Sequence, residues 1–411
     1  MKLRVTAAWR HLNLPLIVGL GAACAGLMNY LAQVLLIKYL APGEFIKYAA
    51  GLSQVAIVAG ALAFIPILFT KATVSLVRTG DREAFRVELR STVGFVLLFV
   101  VSCGVVSWLA GGLSWSTQVL LSFIAILQAM IAVQLGVLRG MDRLAVEPLV
   151  GTGSTLIKLL GFLVFIGLGF DSTEVYFVVI IGVQLLTVLA YLKTVPVRSE
   201  TSNAQEDDRS SEGIGLGLKG FLFFNSFFIY AIAGVDIYIA SFFLSGPEGD
   251  QYAVISTFAK IPLMFIMPYS SLIFGRFEAN RDDPRYCRAE LGRLILICGV
   301  VSAATFVFFW LFGPVVFGFV GYSLTVLETE MFLFFLATFG LFSVIFPVEK
   351  FFLSHNKGYF WVFGAGFIIF FVTGFRYFDA HWIMSNLVLY LSISIVVFII
   401  IFASNRRLYV S

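Results

Sequence analysis

Six ionisable side chains lie inside otherwise apolar runs, and the chemistry of this chain concentrates on them: Lys38, Lys47, Lys158, Lys260, Arg376 and Asp236. Lys38, Lys47 and Arg376 fall at the ends of their runs, where a long side chain can reach headgroups. Lys158 lies near the middle of the fifth run and Lys260 about eight residues inside the eighth. Asp236 lies about eight residues from the facing end of the seventh. At about 1.5 Å per residue, Asp236 and Lys260 share a depth near 12 Å from that end. A charge at such depth costs roughly 2.5–3.5 kcal/mol on insertion scales, so it turns to a wet cavity or to a partner. Asp236 either pairs with Lys260 or carries a coupling proton or sodium ion. A purely structural buried pair, or a local water defect, is the plainer alternative.

Polar groups recur near these charges at helical spacing. Tyr252, Ser256 and Lys260 fall at i, i+4 and i+8, and Asn29 and Gln33 at i and i+4. Asn225 and Asp236 are eleven apart, again on one face. Such hydroxyls and amides suit a sugar-binding cavity, and they equally serve as glue between membrane helices. Pro66, Pro262 and Pro268 each lie within a run, where proline frees a carbonyl and bends a helix.

The elements that carry these residues follow from hydropathy. The 411 residues are 60% hydrophobic and only 13% charged, against roughly 25% charged in soluble domains. Mean hydropathy is +0.96, so lipid is the solvent for most of the chain. A span needs about twenty apolar residues. Twelve segments qualify: Leu14–Lys38, Phe45–Phe69, Ser91–Gly111, Thr117–Val137, Val146–Gly169, Val175–Lys193, Leu218–Leu244, Tyr252–Gly275, Leu294–Gly313, Leu327–Val348, Tyr359–Phe375 and Trp382–Ala403. The basic stretch before the first is read as retained, since no small-residue cleavage site follows it. The 45 phenylalanines read mostly as lipid-facing bulk.

Alternate loops hold 23 of the 28 Lys and Arg residues, including the loops at 70–90 and 276–293. The intervening six, such as Ser245–Gln251 and Pro314–Val326, hold none but Arg376 at the edge of the last. By the positive-inside rule both termini are cytoplasmic. The halves echo each other. Pro42, Gly43, Glu44, Tyr48 and Ala49 recur as Gly246, Pro247, Glu248, Tyr252 and Ala253, about 204 residues on. Six spans per copy make a parallel repeat, with domains at 1–195 and 216–411 and a polar cytoplasmic linker at 196–215.

Several classes are disfavoured. A membrane glycosyltransferase would assemble carboxylates on a long outer loop, whereas the outer loops are about five to thirteen residues long with scattered acids. No phosphate-binding loop of the Walker type occurs, so ATP is not the direct energy source. Cys24, Cys103 and Cys298 fall in apolar segments and Cys287 in a basic loop, without disulfide or metal spacing. The small net charge of +4 gives no sign of a nucleic-acid partner.

Three stretches carry a family likeness: Lys38 to Tyr48, Gly136 to Arg143, and Gly234-Val235-Asp236 followed by Ser245 to Tyr252 and Phe258-Ala259-Lys260. The sequence resembles the bacterial polysaccharide flippases, of the O-antigen type, in the multidrug/oligosaccharidyl-lipid/polysaccharide exporter (MOP) superfamily. It departs from their pattern at Phe274-Gly275-Arg276, where a proline before the arginine is expected. The resemblance implies an all-α polytopic membrane protein of twelve transmembrane helices, in two parallel six-helix repeats forming a V-shaped two-bundle transporter. It implies translocation of undecaprenyl-diphosphate-linked oligosaccharide from the cytoplasmic to the periplasmic leaflet by alternating access, with no enzyme activity and no cofactor beyond a coupling H+ or Na+. Lys158 and Lys260 then line a cationic cavity for the diphosphate, with Ser256, Asn29, Gln33 and Asn225 as further substrate-binding groups and Asp236 as the coupling site. Membrane lipids and other glycan-assembly membrane proteins are the expected partners. A drug/cation antiporter of the same superfamily would present a net acidic cavity, and a peptidoglycan-precursor flippase would have more spans and several cavity arginines.

Overall fold

A computed structural model describes residues 21, 24–79, 82–109, 113–141, 143, 146–194, 216–264, 266, 277, 283–344, 347–348 and 351. Among them all regular structure is helical, as expected where the backbone must satisfy its own hydrogen bonds in lipid. The order is α1 (24–39), α2 (Glu44–Ala61), α3 (Ile65–Thr79), α4 (Arg82–Leu109), α5 (Trp115–Gly140), α6 (Val146–Gly167), α7 (Thr173–Thr194), α8 (Leu216–Phe243), α9 (Gly246–Ala259), α10 (Pro284–Phe319) and α11 (Val326–Ser343). Six helical stretches among the described residues are long and apolar enough to cross a membrane. The protein is polytopic. The eleventh and twelfth expected spans, the linker and both termini lie outside the described residues.

Proline sets two breaks in the same way. Pro66 has no N–H for the Leu62 carbonyl, which accepts from Ile65 instead, so Leu62–Phe64 tightens into a 3-10 turn between α2 and α3. Pro262 likewise leaves the Phe258 carbonyl without its usual donor, and the Lys260 N–H turns to it. The eighth expected span is therefore interrupted at Lys260, and helix resumes at 261–264. Pro268 lies outside the described residues.

Three readings of the sequence need correction. The basic segments at 82–90 and 284–293 are not loops but the first turns of α4 and α10. With 36 residues, α10 is about 54 Å long, well beyond a hydrocarbon core of about 30 Å, so its charged start extends past the lipid. Asp283 caps it through the N–H groups of Arg285 and Tyr286, and Cys287 is buried within it. Pro314 lies inside α10, which runs on to Phe319, rather than opening an outer loop. Finally, a set of phenylalanines among the described residues is core and not lipid-facing bulk: Phe258, Phe317, Phe332, Phe335 and Phe339 are all fully buried. Their edge-to-face contacts, such as Phe317–Phe332 at 5.0 Å and Phe335–Phe339 at 4.8 Å, fill one core.

The chain divides into two compact units, residues 1–235 and 236–411. In the first, α5 is central and packs on α2, α3, α4 and α7. Its glycines make this possible. A Cβ at Gly136 would stand 2.6 Å from the Phe69 Cβ and 2.7 Å from the Pro66 carbonyl, and one at Gly140 would stand 2.6 Å from the Thr73 Cβ. This close approach of α5 to α3 is the small-residue packing that membrane helices use. In the second unit α11 packs on both α9 and α10.

Candidate functional site

Asp236 on α8 faces the polar row of α9. Its Oδ1 accepts from Lys260 Nζ at 2.6 Å and its Oδ2 from Ser256 Oγ at 2.5 Å. Asp236 and Ser256 are fully buried, and Lys260 is 5% exposed. The ring of Phe339, from α11, lies 5.3 Å from the ammonium and closes another side of it. Tyr252, one turn before Ser256, is also buried, and its hydroxyl makes no hydrogen bond. The ion pair expected between Asp236 and Lys260 forms across the turn at Gly246, φ 61°, but the helix begins at Gly246 rather than Tyr252, so Lys260 lies 14 residues from its start against 7 for Asp236 from the end of α8. Phe339 left no such signal, being one phenylalanine among many in an apolar helix.

The first unit holds the second cluster. Lys158 on α6 donates to the Asn29 side-chain carbonyl on α1. Ahead of α1, the Gly21 carbonyl accepts from the hydroxyl of Thr152 on α6 at 3.1 Å. No carboxylate neutralises Lys158 among the described residues. Its charge is held by an amide dipole alone, within a half-buried stretch of α6. Gln33, one turn beyond Asn29, keeps its side-chain carbonyl buried and without a hydrogen-bond partner. Of the other residues singled out in the sequence, Lys38 and Lys47 are exposed, and Lys47 pairs with Glu44 at 2.6 Å. The Asn225 side chain and Arg376 lie outside the described residues.

The sequence reading missed a buried polar ring. Gln54 Nε2 donates to Gln118 Oε1 at 2.8 Å, Gln118 Nε2 to Ser107 Oγ at 2.7 Å, and Ser107 Oγ to Gln54 Oε1 at 3.2 Å. It ties α2, α4 and α5 together. Two glutamines in apolar spans were visible in the sequence, but nothing local pairs positions 64 apart. The stretch from Gly136 to Arg143 also gains a structural explanation. Beside the two packing glycines, Arg139 makes a two-pronged ion pair with Glu147, at 3.0 and 2.6 Å. Arg143 donates to the Thr194 carbonyl at the end of α7.

No family model and no curated protein sequence matches the chain. Solved structures do. A MATE transporter in complex with MaD3S superposes with a TM-score of 0.61 at 14% identity, over 93% of this chain and 92% of that one. A MOP-superfamily transporter from Pyrococcus furiosus, described as having a reversed binding-pocket polarity, gives 0.59 at 15% identity, over 94% and 93%. The lipid II flippase MurJ, in an inward closed conformation, gives 0.57 at 14% identity, over 92% and 87%. At such identity the likeness concerns the fold, and it extends over nearly the whole chain. The helices that position Asp236, Lys260 and Lys158 are thus similar in fold to these solved transporters.

Proposed function

We propose that this protein is a flippase that carries an undecaprenyl-diphosphate-linked oligosaccharide from the cytoplasmic to the periplasmic leaflet of the bacterial inner membrane, both termini cytoplasmic. One observation carries the reading: a lysine deep in α6, Lys158, is held by the Asn29 amide and by no carboxylate among the described residues. A charge at that depth lacks water to stabilise it and so favours an anionic guest. A diphosphate linked to a sugar is such a guest, and Asn29 and Gln33 offer amides of the kind that bind sugar hydroxyls. The likeness to a lipid II flippase supports the same class of cargo.

The drug/cation antiporter reading needs a carboxylate free to meet a cation. Asp236 lies deep in the fold, and both its oxygens are already engaged. It serves as the site of a coupling proton or sodium ion only in a state where Lys260 has left it. The test is a deletion strain complemented with wild-type protein or with Lys158→Ala. Lipid-linked glycan should accumulate on the cytoplasmic side in the deletion strain and in the variant, and clear with the wild type. Clearance by Lys158→Ala at wild-type protein level would sink the assignment of that lysine. No accumulation in the deletion strain would sink the cargo.

A further inference from the structure

Three hydrogen-bond donors stand in a row along α9: Tyr252, Ser256 and Lys260, one turn apart and all buried. Two of them end on the Asp236 carboxylate, one on each oxygen. The third, the Tyr252 hydroxyl, is sealed from solvent and has no partner. A buried hydroxyl left unsatisfied is costly, and native structures rarely keep one without a use. A carboxylate has only two oxygens to offer. A terminal phosphate has three acceptor oxygens. The row therefore holds one donor that its present occupant does not engage.

The ion pair is also dispensable to the fold. The register that aligns Glu44 with Glu248 and Tyr48 with Tyr252 places Ala32 opposite Asp236 and Ala56 opposite Lys260. The first copy of the repeat builds its helix pair, α1 and α2, with alanines at both places. A buried pair is on general grounds no more stabilising than well-packed apolar residues. A charge pair present in one copy and absent from the other points to a task other than stability.

We propose that Tyr252, Ser256 and Lys260 form an oxyanion site for a phosphate or diphosphate group, and that Asp236 is a built-in anion which the incoming group displaces. This rests on the flippase reading and deepens it, since the cargo headgroup exchanges with an internal carboxylate and Lys260 is never left bare. Asp236 from α8 is the charged group that faces Lys260, and the Phe339 ring from α11 carries no charge.

The test uses purified full-length protein in detergent, titrated calorimetrically with inorganic pyrophosphate. Asp236→Asn should bind it roughly tenfold or more tighter than wild type, the scale of one hydrogen bond to a charged group. Adding Tyr252→Phe should undo part of that gain, and adding Lys260→Gln all of it. Equal affinity in Asp236→Asn and wild type, with both proteins folded and monodisperse at the assay temperature, overturns the proposal. So does a gain that survives Lys260→Gln. If Asp236→Asn does not fold, Tyr252→Phe alone decides, because it removes only an unpartnered hydroxyl. Weaker pyrophosphate binding in a stable Tyr252→Phe supports the site, and unchanged binding overturns it. Binding that depends on Lys158 but ignores Asp236 refutes the exchange alone. Absence of binding in every protein, wild type included, refutes the flippase reading with it.

Discussion

Lys260 and Asp236 form an ion pair of 2.6 Å at the point where α9 breaks, with side chains 6% and 0% exposed. The pair joins two consecutive antiparallel helices, and the Ser256 hydroxyl completes it from the same face as Lys260. Removing either partner strands a buried charge, at a cost of roughly 3–5 kcal/mol. Lys260→Gln and Asp236→Asn should therefore each lower the thermal unfolding midpoint in detergent. The double variant should recover most of the loss. Stable single variants would mean that the two charges do not depend on each other in the membrane.

Asn29 tunes the charge on Lys158. Asn29→Asp supplies the missing counter-charge across the same α1–α6 contact, so the variant should be at least as stable as wild type. It should nevertheless lose glycan export, because the carboxylate now competes with the cargo. Lys158→Arg should retain part of the export, since a cation remains at that depth. Export assays at matched protein level decide both. Full export by Asn29→Asp would show that the charge on Lys158 is not used.

Gly140 is a packing position. A Cβ there would stand 2.6 Å from the Thr73 Cβ and 2.9 Å from the Thr70 carbonyl, so Gly140→Val should destabilise by about 1–3 kcal/mol through overpacking. Gly151 has nothing within 4 Å of its would-be Cβ, and Gly151→Ala should be neutral or slightly stabilising by helix propensity. Equal midpoints for the two variants would contradict the α3–α5 contact.

The Gln54–Gln118–Ser107 ring should behave as a unit. Gln118→Leu leaves the buried Gln54 amide N–H without its acceptor and should cost about 1–3 kcal/mol. Adding Gln54→Leu should restore most of that stability, because the stranded amide is then gone. A double variant worse than Gln118→Leu would show that the ring contributes more than mutual satisfaction.

Topology is open to reporter fusions. Those at Ser210 and Arg407 should read cytoplasmic, and those at Gly249 and Asp379 periplasmic. A periplasmic reading at Ser210 would break the six-plus-six arrangement.

The sequence by itself determined the solvent of this protein, its helical class and the apolar middles of its described spans, while α4 and α10 start 9 and 10 residues ahead of the expected bounds. In lipid every helix must satisfy its own backbone, so span and class are local properties written in hydropathy. The breaks at Pro66 and Pro262 were legible for the same reason, since a missing N–H acts within one turn. The pairing of Asp236 and Lys260 was legible too, because a tight turn makes adjacent spans antiparallel neighbours. Tertiary structure decided which of the two deep lysines is already neutralised. Lys260 meets a carboxylate 24 residues away, whereas Lys158 meets an amide 129 residues away. No periodicity encodes a contact across that distance. It arises when α1 and α6 pack side by side, and that packing leaves Lys158 with an amide in place of a counter-charge.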